Sequence, residues 1–174
     1  MSLLKNLTCA LAFGLVAPAL PVLAQTQPHT ELAQSVQRYA AAWGGRDAGI
    51  IVALHSADSM FHLFVDGSEA VTGRAAIQVQ FQKILSDNPG YSSTVRSVLF
   101  GDGHAVIEYD INMDPPRPFT LGNVRYVPTG RAYSVPAIDV IWFKDGLVTA
   151  KHTYLDTGVA RANSKSTKPV GKTK

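Results

Sequence analysis

The second half of the chain is a succession of short runs rich in β-branched and aromatic residues, separated by tight turn signals. Residues 92–100 and 104–113 form two such runs around the turn Gly101-Asp102-Gly103. Apolar side chains occupy every other position of the second run: Ala105, Ile107, Tyr109 and Ile111. This period of two predicts antiparallel strands with one buried face and one solvated face.

Further strands are predicted on both sides of this hairpin. Residues 60–65 form one strand, which ends at Asp66-Gly67. Residues 137–144 and 147–156 form a second hairpin around Asp145-Gly146. These boundaries are turn signals because aspartate and glycine tolerate the backbone conformations that tight turns require.

A Pro-rich insertion at residues 112–131 interrupts the strand pattern. Residues 114–122 are predicted to be a loop, and residues 124–127 to pair with residues 132–135 across Pro128-Thr129-Gly130. A loop of this length either covers the mouth of a pocket or has no function of its own.

The first half of the chain has helical spacing. Thr30 is the predicted N-cap of a first helix, which Gly44-Gly45 ends. A short second helix is predicted at residues 47–55, and a third between its N-cap Thr72 and Asn88-Pro89-Gly90. The first helix repeats apolar residues at intervals of three or four: Leu32, Val36, Tyr39, Ala40 and Trp43.

Helices followed by an antiparallel sheet predict an α+β fold in a single domain. We expect three N-terminal helices to pack on a curved, mixed and mostly antiparallel sheet, because a long twisted sheet curls and leaves one side open. The helices then close that side. The space between them and the concave face of the sheet is a usual place for a small ligand.

The N-terminus has the pattern of a secretory signal peptide. Lys5 supplies the positive charge, residues 7–20 are an apolar run broken by Pro18, and Val22-Leu23-Ala24 resembles a cleavage site. A membrane anchor is the alternative, but the run is too short to span a bilayer well. Residues 1–24 are therefore predicted to be removed, which leaves Gln25 first in a periplasmic or secreted protein without an integral membrane segment.

The net charge of +3 belongs to the ends of the chain rather than to its body. Removing Lys5 and the five basic residues of the C-terminal tail at residues 161–174 takes away six positive charges and leaves −3 for residues 25–160. The tail is rich in Lys, Ser and Thr and is predicted to be disordered. Without a basic stripe on the body, nucleic acid is not an expected partner.

Several catalytic patterns are absent from the sequence. The only cysteine lies in the predicted signal peptide, and neither a G-x-S-x-G nor an H-E-x-x-H motif occurs. The five histidines are scattered along the chain: His29, His55, His62, His104 and His152. No Gly-rich phosphate loop links a strand to a helix. The sequence therefore predicts no metal and no cofactor.

Asp139 is the most informative candidate site residue, because it lies in the middle of the apolar strand at residues 136–143. A carboxyl group among apolar neighbours loses hydration, which favours its neutral form. A neutral carboxylic acid donates a hydrogen bond to a developing oxyanion. The alternative is a side chain that faces solvent or pairs with an arginine such as Arg125 or Arg131.

Tyr39 and Trp43 share one face of the first helix because they are four residues apart. Tyr39 presents a phenol hydroxyl inside the pocket or is an ordinary core aromatic bonded to a backbone carbonyl. The predicted pocket wall also includes Phe81, Ile141 and Phe143, which core packing explains equally well.

Two histidines within strands, His62 and His152, are the candidate general bases. Lone histidines of this kind are more often structural than catalytic. The alternation of Phe61, Leu63 and Val65 predicts that these three residues, and not His62, face the interior.

Five segments together resemble a known enzyme family: Val36-Gln37-Arg38-Tyr39, Asp47, Ile51-Val52-Ala53-Leu54, Thr72-Gly73-Arg74-Ala75-Ala76-Ile77, and Ala137-Ile138-Asp139 with Phe143 and Gly146. They resemble the bacterial steroid Δ5-isomerases, also called ketosteroid isomerases. More broadly, residues 31–156 resemble the SnoaL-like, nuclear-transport-factor-2-like superfamily. This resemblance implies a cone-shaped α+β barrel that often forms homodimers.

The resemblance also implies roles for particular residues. Tyr39 and Asp139 would form the oxyanion hole. Phe81 occupies the position of a supporting tyrosine in the isomerases, but it has no hydroxyl group and cannot donate a hydrogen bond. Leu63 falls at the position of their catalytic aspartate, so proton transfer would need His62 swung inward by a bulge, or Asp66 reaching back.

Three hypotheses about function follow. The first is a pocket that binds a small hydrophobic molecule with a carbonyl or phenol group. The second is an isomerase- or cyclase-type enzyme that uses Tyr39 and Asp139 as acids and His62 or His152 as the base. The third is a dimeric interaction domain without catalysis. Residues predicted to contact the ligand are Trp43, Leu63, Phe81, Ile141, Phe143, His152 and Tyr154.

Overall fold

The computed structural model describes residues 27–167. The predicted signal peptide and residues 168–174 of the predicted tail lie outside this range. Within this range there are four helices: α1 (Gln27–Gly45), α2 (Ala48–Ala53), α3 (Arg74–Asp87) and α4 (Thr157–Ala162). Among the described residues, no helix combines the length and the apolar character needed to cross a membrane.

The part of the chain that the structure describes contains nine strands in two sheets. The strands are β1 (His55–Phe64), β2 (Val71–Thr72), β3 (Ser92–Phe100), β4 (His104–Met113), β5 (Phe119–Leu121), β6 (Val124–Pro128), β7 (Tyr133–Lys144), β8 (Leu147–Leu155) and β9 (Ser164–Thr167). The larger sheet has the order β2-β1-β8-β7-β4-β3, and the smaller one β5-β6-β9. Among the described strand pairs, only β1 and β8 run parallel, so the larger sheet is mixed and mostly antiparallel, as predicted.

The predicted α+β fold is confirmed, with helices packed on a curved sheet that does not close into a complete barrel. The strands β3 and β4 have the predicted bounds. The inward-facing residues of β4 are buried as the alternation predicted: Ala105, Ile107, Tyr109 and Ile111. They belong to a core that the sheet shares with α1, α2 and α3.

Two helix starts differ from the prediction. Thr30 lies within α1, which begins three residues earlier. Gly73, not Thr72, is the N-cap of α3 and has a φ of 86°, a left-handed value that glycine adopts without strain. The start of α2 does carry a side-chain cap, because Asp47 accepts hydrogen bonds from the backbone of Gly49 and Ile50.

The insertion forms a small sheet rather than a loop and a local hairpin. Residues 119–121 of the predicted loop are β5, which pairs with β6. The predicted pairing of residues 124–127 with residues 132–135 is wrong, because residues 133–135 continue β7 and bond to β4. The edge of residues 133–135 that faces β4 is therefore occupied, and β6 pairs with β9.

The first part of the predicted disordered tail is ordered in the structure. Asp156 caps α4 by accepting hydrogen bonds from the backbone of Gly158 and Val159. Arg161 donates a hydrogen bond to Asp66 at 2.7 Å, and residues 164–167 add β9 to the small sheet. Composition alone predicted disorder here because it takes no account of the unpaired edge that β6 offers.

Candidate functional site

A cavity of about 550 Å³ lies between the concave face of the larger sheet and helices α1 and α3. Pockets of this size enclose drug-sized molecules. Most of the wall is apolar, and its central part includes Trp43, Phe61, Leu63, Ile107, Ile111 and Ile141. The cavity therefore has the place and the apolar character that the sequence predicted.

One end of the cavity is built by the insertion. Residues 119–122 line it, opposite residues 67–70 of the loop between β1 and β2. The two segments touch closely at Gly122, where an added Cβ would lie 2.0 Å from the carbonyl oxygen of Asp66. The backbone of Asn123 also donates to that oxygen at 2.9 Å, so the insertion is fixed against the loop.

A bulge in β8 turns two polar residues, Lys151 and Thr153, toward the cavity. The pairing of β8 with β7 shifts by one residue at Thr149, which has no partner in the register. An extra residue in one strand reverses the side chains beyond it to the opposite faces. Without the bulge, side chains would alternate between the two faces of β8 from the buried Val148 onward, and Lys151 and Thr153 would point outward.

Asp139, Lys151 and Thr153 form a buried polar cluster on the cavity wall. Asp139 lies directly opposite Thr153 in the register of β7 and β8, and Lys151 is its diagonal neighbour. The Nζ of Lys151 donates to Oδ2 of Asp139, and the Oγ1 of Thr153 donates to Oδ1 at 2.6 Å. The side chains of Lys151 and Asp139 are only 4% and 9% exposed.

Lys151 also faces two aromatic rings of α1. Its Nζ lies 5.8 Å from the ring centroid of Tyr39 and 5.7 Å from that of Trp43, within the range of cation–π attraction. Burial lowers the pKa of the Lys151 ammonium from its ordinary value, and the charge of Asp139 opposes that change. The side chains of the ion pair are thus largely shielded from bulk solvent.

The structure gives Asp139 a different environment from the one predicted. The sequence interpretation placed it among apolar neighbours or beside Arg125 or Arg131. Instead, both of its oxygens accept hydrogen bonds from Lys151 and Thr153. The group that can donate to a ligand oxygen in this cluster is the Lys151 ammonium, which has three N–H donors and uses one of them on Asp139.

Tyr39 lines the cavity at one end of a buried hydrogen-bond chain. Its hydroxyl lies 2.9 Å from Nε2 of His55, and Nδ1 of His55 lies 2.9 Å from Oγ of Ser59. Burial, followed by the charges of Lys151 and Arg74, lowers the pKa of His55 to about 3. His55 is therefore neutral near pH 7, and it holds the Tyr39 hydroxyl in one orientation.

Three tyrosines and a tryptophan of the wall are neutral donors. Burial raises the pKa values of Tyr39, Tyr91 and Tyr109 above the ordinary value of a phenol, and the charge of Asp139 raises them further. The Nε1 of Trp43 is buried and has no hydrogen-bond partner among the described residues. The wall thus offers hydroxyl, indole and ammonium donors in apolar surroundings.

Five of the predicted site residues line the cavity together: Tyr39, Trp43, Leu63, Asp139 and Ile141. Two others, Phe81 and Phe143, pack behind the wall without lining it. The ring of Phe81 lies 4.8 Å from that of Trp43, and the ring of Phe143 lies 6.5 Å from that of Tyr39. These two aromatics shape the wall from behind.

The structure places His62, His152 and Tyr154 on the opposite face of the sheet. His62 alternates with Leu63, which lines the cavity, and β8 carries His152 and Tyr154 outward beyond its bulge. Their rings surround Phe64, which stacks on Tyr154 at 4.5 Å. The pairing of β1 with β8 is irregular between His55 and Met60, but it is regular from Met60 to Phe64, and His62 stays on the outer face.

The described residues contain no group of three or more His, Cys, Asp or Glu side chains arranged to hold a metal ion. Three acidic residues line the cavity: Glu69, Asp87 and Asp139. Leu63 lies opposite Thr153 in the register of β1 and β8. In the isomerases that the sequence resembles, the catalytic base stands at the position of Leu63.

The sequence model of the SnoaL-like domain matches residues 36–151. The chain belongs to the SnoaL-like domain family. The predicted superfamily is therefore confirmed, and the match spans most of the elements that enclose the cavity. Among curated proteins, none has a sequence that matches this SnoaL-like protein.

Solved structures of other proteins show the same fold. One from Jannaschia sp. CCS1, provisionally described as a SnoaL-like polyketide cyclase, has a TM-score of 0.68 and 18% identity, covering 80% of this chain and 94% of its own. A Bacillus subtilis protein provisionally described as an isomerase has a TM-score of 0.63 and 17% identity, over 79% and 95%.

A third neighbour is a protein from Catenulispora acidiphila DSM 44928 with a ketosteroid isomerase-like fold, solved in complex with trimethylamine. Its TM-score is 0.62 at 18% identity, over 75% of this chain and 92% of its own. At these identities the three likenesses establish the fold of the SnoaL-like domain and not its activity.

Sequence reasoning missed several residues of the site, among them Lys151, Thr153 and His55, and the tyrosines Tyr91 and Tyr109. The sequence does predict the hairpin turn at Asp145-Gly146. Counting residues away from this turn along both strands gives a register that is wrong by one residue beyond the bulge. The shift at the bulge had no signal in the sequence, and it decides which of their residues face the cavity.

Proposed function

We propose that this SnoaL-like domain binds a small, largely apolar molecule that carries a carbonyl or phenol oxygen. The observation that supports this proposal is the buried Asp139–Lys151 pair on the wall of a largely apolar cavity. A ligand oxygen at the Lys151 ammonium would make a charge-assisted hydrogen bond, the kind that contributes about 1.5–3 kcal/mol. The apolar wall would bury the rest of the ligand.

The proposed ligand is neutral rather than anionic. Asp139 already balances the charge of Lys151, so a carboxylate ligand would bring an unbalanced negative charge into the cavity. Burying such a charge is costly. A ketone, aldehyde or phenol accepts or donates a hydrogen bond there without that penalty, and the Tyr39 hydroxyl offers a second polar contact.

Ligand-induced stabilisation tests the proposal. We expect steroids, aromatic ketones and phenols to raise the melting temperature of the wild-type protein in a concentration-dependent way, because binding to the folded state stabilises it. Lys144→Met, at an exposed lysine of the same hairpin, should respond as the wild type does. His62→Ala should also respond normally, because its ring lies outside the cavity. No stabilisation across the series would contradict the proposal.

An isomerase of the ketosteroid isomerase kind is a second candidate function, because Tyr39 and Asp139 share the cavity wall. Two observations weaken it. Leu63 occupies the position of the base, and the candidate base His62 faces away from the cavity. Loss of a general base typically costs a factor of about 10²–10⁴ in rate.

An interaction domain is the third candidate, and the outer face of the sheet favours it. Phe64 and Tyr154 are 37% and 42% exposed, and they stack against each other beside His62 and His152. Exposed aromatic patches of this kind are typical of contact surfaces, including those of homodimers. A failure of every small molecule to stabilise the protein would favour this candidate.

We also propose that the protein is exported, on the strength of the N-terminal sequence pattern. Cleavage after Ala24 is expected to give a mature chain that begins at Gln25. The intact mass of the protein purified from periplasm or culture medium measures this directly. A chain that keeps its first 24 residues and stays in the cytoplasmic fraction would be the contrary result.

A further inference from the structure

Lys151 is an unusual primary amine, because it is enclosed by the wall of an apolar cavity rather than exposed to water. Its side chain is 4% exposed, yet the residue lines the cavity. The aromatic rings of Tyr39 and Trp43 flank its Nζ on the side of α1. An amine in this setting meets a bound carbonyl compound with little competition from solvent.

We propose that Lys151 forms a reversible imine with an aldehyde or ketone held in the cavity, and that Asp139 takes and returns the proton. This inference rests on the proposed function, since the same cavity must first bind the carbonyl compound. The inference goes beyond the proposed function because it assigns a covalent step to Nζ of Lys151.

The step balances as an addition followed by a dehydration. Asp139 Oδ2 takes one proton from the Lys151 ammonium, and the free electron pair of Nζ then forms a bond to the carbonyl carbon. The carbonyl π pair moves to the oxygen, and the attacking nitrogen gives up a second proton as the oxygen gains one. Asp139 returns its proton to the hydroxyl of this carbinolamine, water leaves, and a C=N bond remains. Hydrolysis reverses each step.

The geometry around Asp139 suits this exchange. Thr153 donates to Oδ1 at 2.6 Å, which leaves Oδ2 directed at the amine. Burial lowers the pKa of Lys151, which makes the neutral, nucleophilic amine more accessible near neutral pH. The tyrosines of the wall, Tyr39, Tyr91 and Tyr109, have raised pKa values and remain uncharged, so Asp139 is the acid–base partner of Lys151.

Reductive trapping tests the inference. The full-length protein is incubated with 2-naphthaldehyde and sodium cyanoborohydride, which reduces an imine to a stable secondary amine, and the labelled peptide is identified by mass spectrometry. We expect labelling that saturates with aldehyde concentration and lies on Lys151, with Lys144 as the exposed comparison in the same molecule. Asp139→Asn should slow the trapping at Lys151 by about 100-fold, as expected for the loss of an acid–base group.

A second variant keeps the test independent of folding defects. In the double variant D139L/K151M the ion pair is replaced by apolar side chains, and saturable labelling should be lost while the slow labelling of exposed lysines persists. Stabilisation by 2-naphthaldehyde without an adduct on Lys151 would overturn the imine and leave the binding proposal intact. Neither stabilisation nor an adduct would overturn both. Equal labelling of Lys151 and Lys144 would also refute the inference.

Discussion

Lys151→Met is expected to lower the free energy of unfolding by about 3–5 kcal/mol, because it leaves the Asp139 carboxylate buried without its cation. Both side chains are almost fully enclosed, so solvent cannot replace the lost partner. The hydrogen bond from Thr153 remains but carries no charge. Urea denaturation at neutral pH measures the change as a lower midpoint with an unchanged slope.

The double variant D139L/K151M separates the ion pair from the packing around it. Replacing both charges with apolar side chains is often neutral or stabilising, so we expect most of the loss in K151M to be recovered. Lys144→Met serves as the matched control and should change stability by no more than about 0.5 kcal/mol. A loss below about 1 kcal/mol in K151M would show that the pair is not buried as the structure has it.

Acidification from pH 7 to pH 5 is expected to cost about 2 kcal/mol of stability through His55 alone. The ordinary pKa of histidine is 6.5, and burial lowers that of His55 to about 3 in the folded chain. Between these values the unfolded chain binds a proton that the folded chain does not. Stability therefore falls as the pH falls from 6.5, and the loss is complete below about pH 3.

Chemical denaturation as a function of pH, with two matched variants, isolates this contribution. His55→Gln keeps a polar side chain between Tyr39 and Ser59 but does not titrate, so its stability should depend less steeply on pH between 6.5 and 4. His62→Gln, on the outer face of the sheet, should keep the wild-type slope. A His55→Gln profile as steep as that of the wild type would assign the acid sensitivity to another group.

The sequence was sufficient for the fold because its strongest signals were local. The alternation in β4 and the turn at Gly101-Asp102-Gly103 defined a hairpin whose bounds the structure matches. The apolar spacing of α1 likewise predicted which face packs on the sheet. The small sheet was not predictable in the same way, because β6 pairs with β9, nearly forty residues later in the chain.

The site was only partly predictable because a single bulge decides its polar chemistry. Asp139 and Tyr39 could be identified from their apolar surroundings and their resemblance to known enzymes. Lys151 could not, since lysine in a strand usually faces solvent and nothing in the sequence marks Thr149 as an extra residue. The same bulge explains why His152 and Tyr154, predicted to touch the ligand, face outward.

Isothermal titration with a matched pair of ligands tests the proposed binding mode most directly. In 2-isopropenylnaphthalene a methylene group replaces the carbonyl oxygen of 2-acetylnaphthalene, so the two differ only in the atom that would meet Lys151. The measured quantity is the dissociation constant of the alkene divided by that of the ketone. If Lys151 donates a charge-assisted hydrogen bond to the ketone oxygen, this ratio should be about 10- to 100-fold larger in the wild type than in D139L/K151M. An equal ratio in the two proteins would contradict binding of the carbonyl oxygen at Lys151.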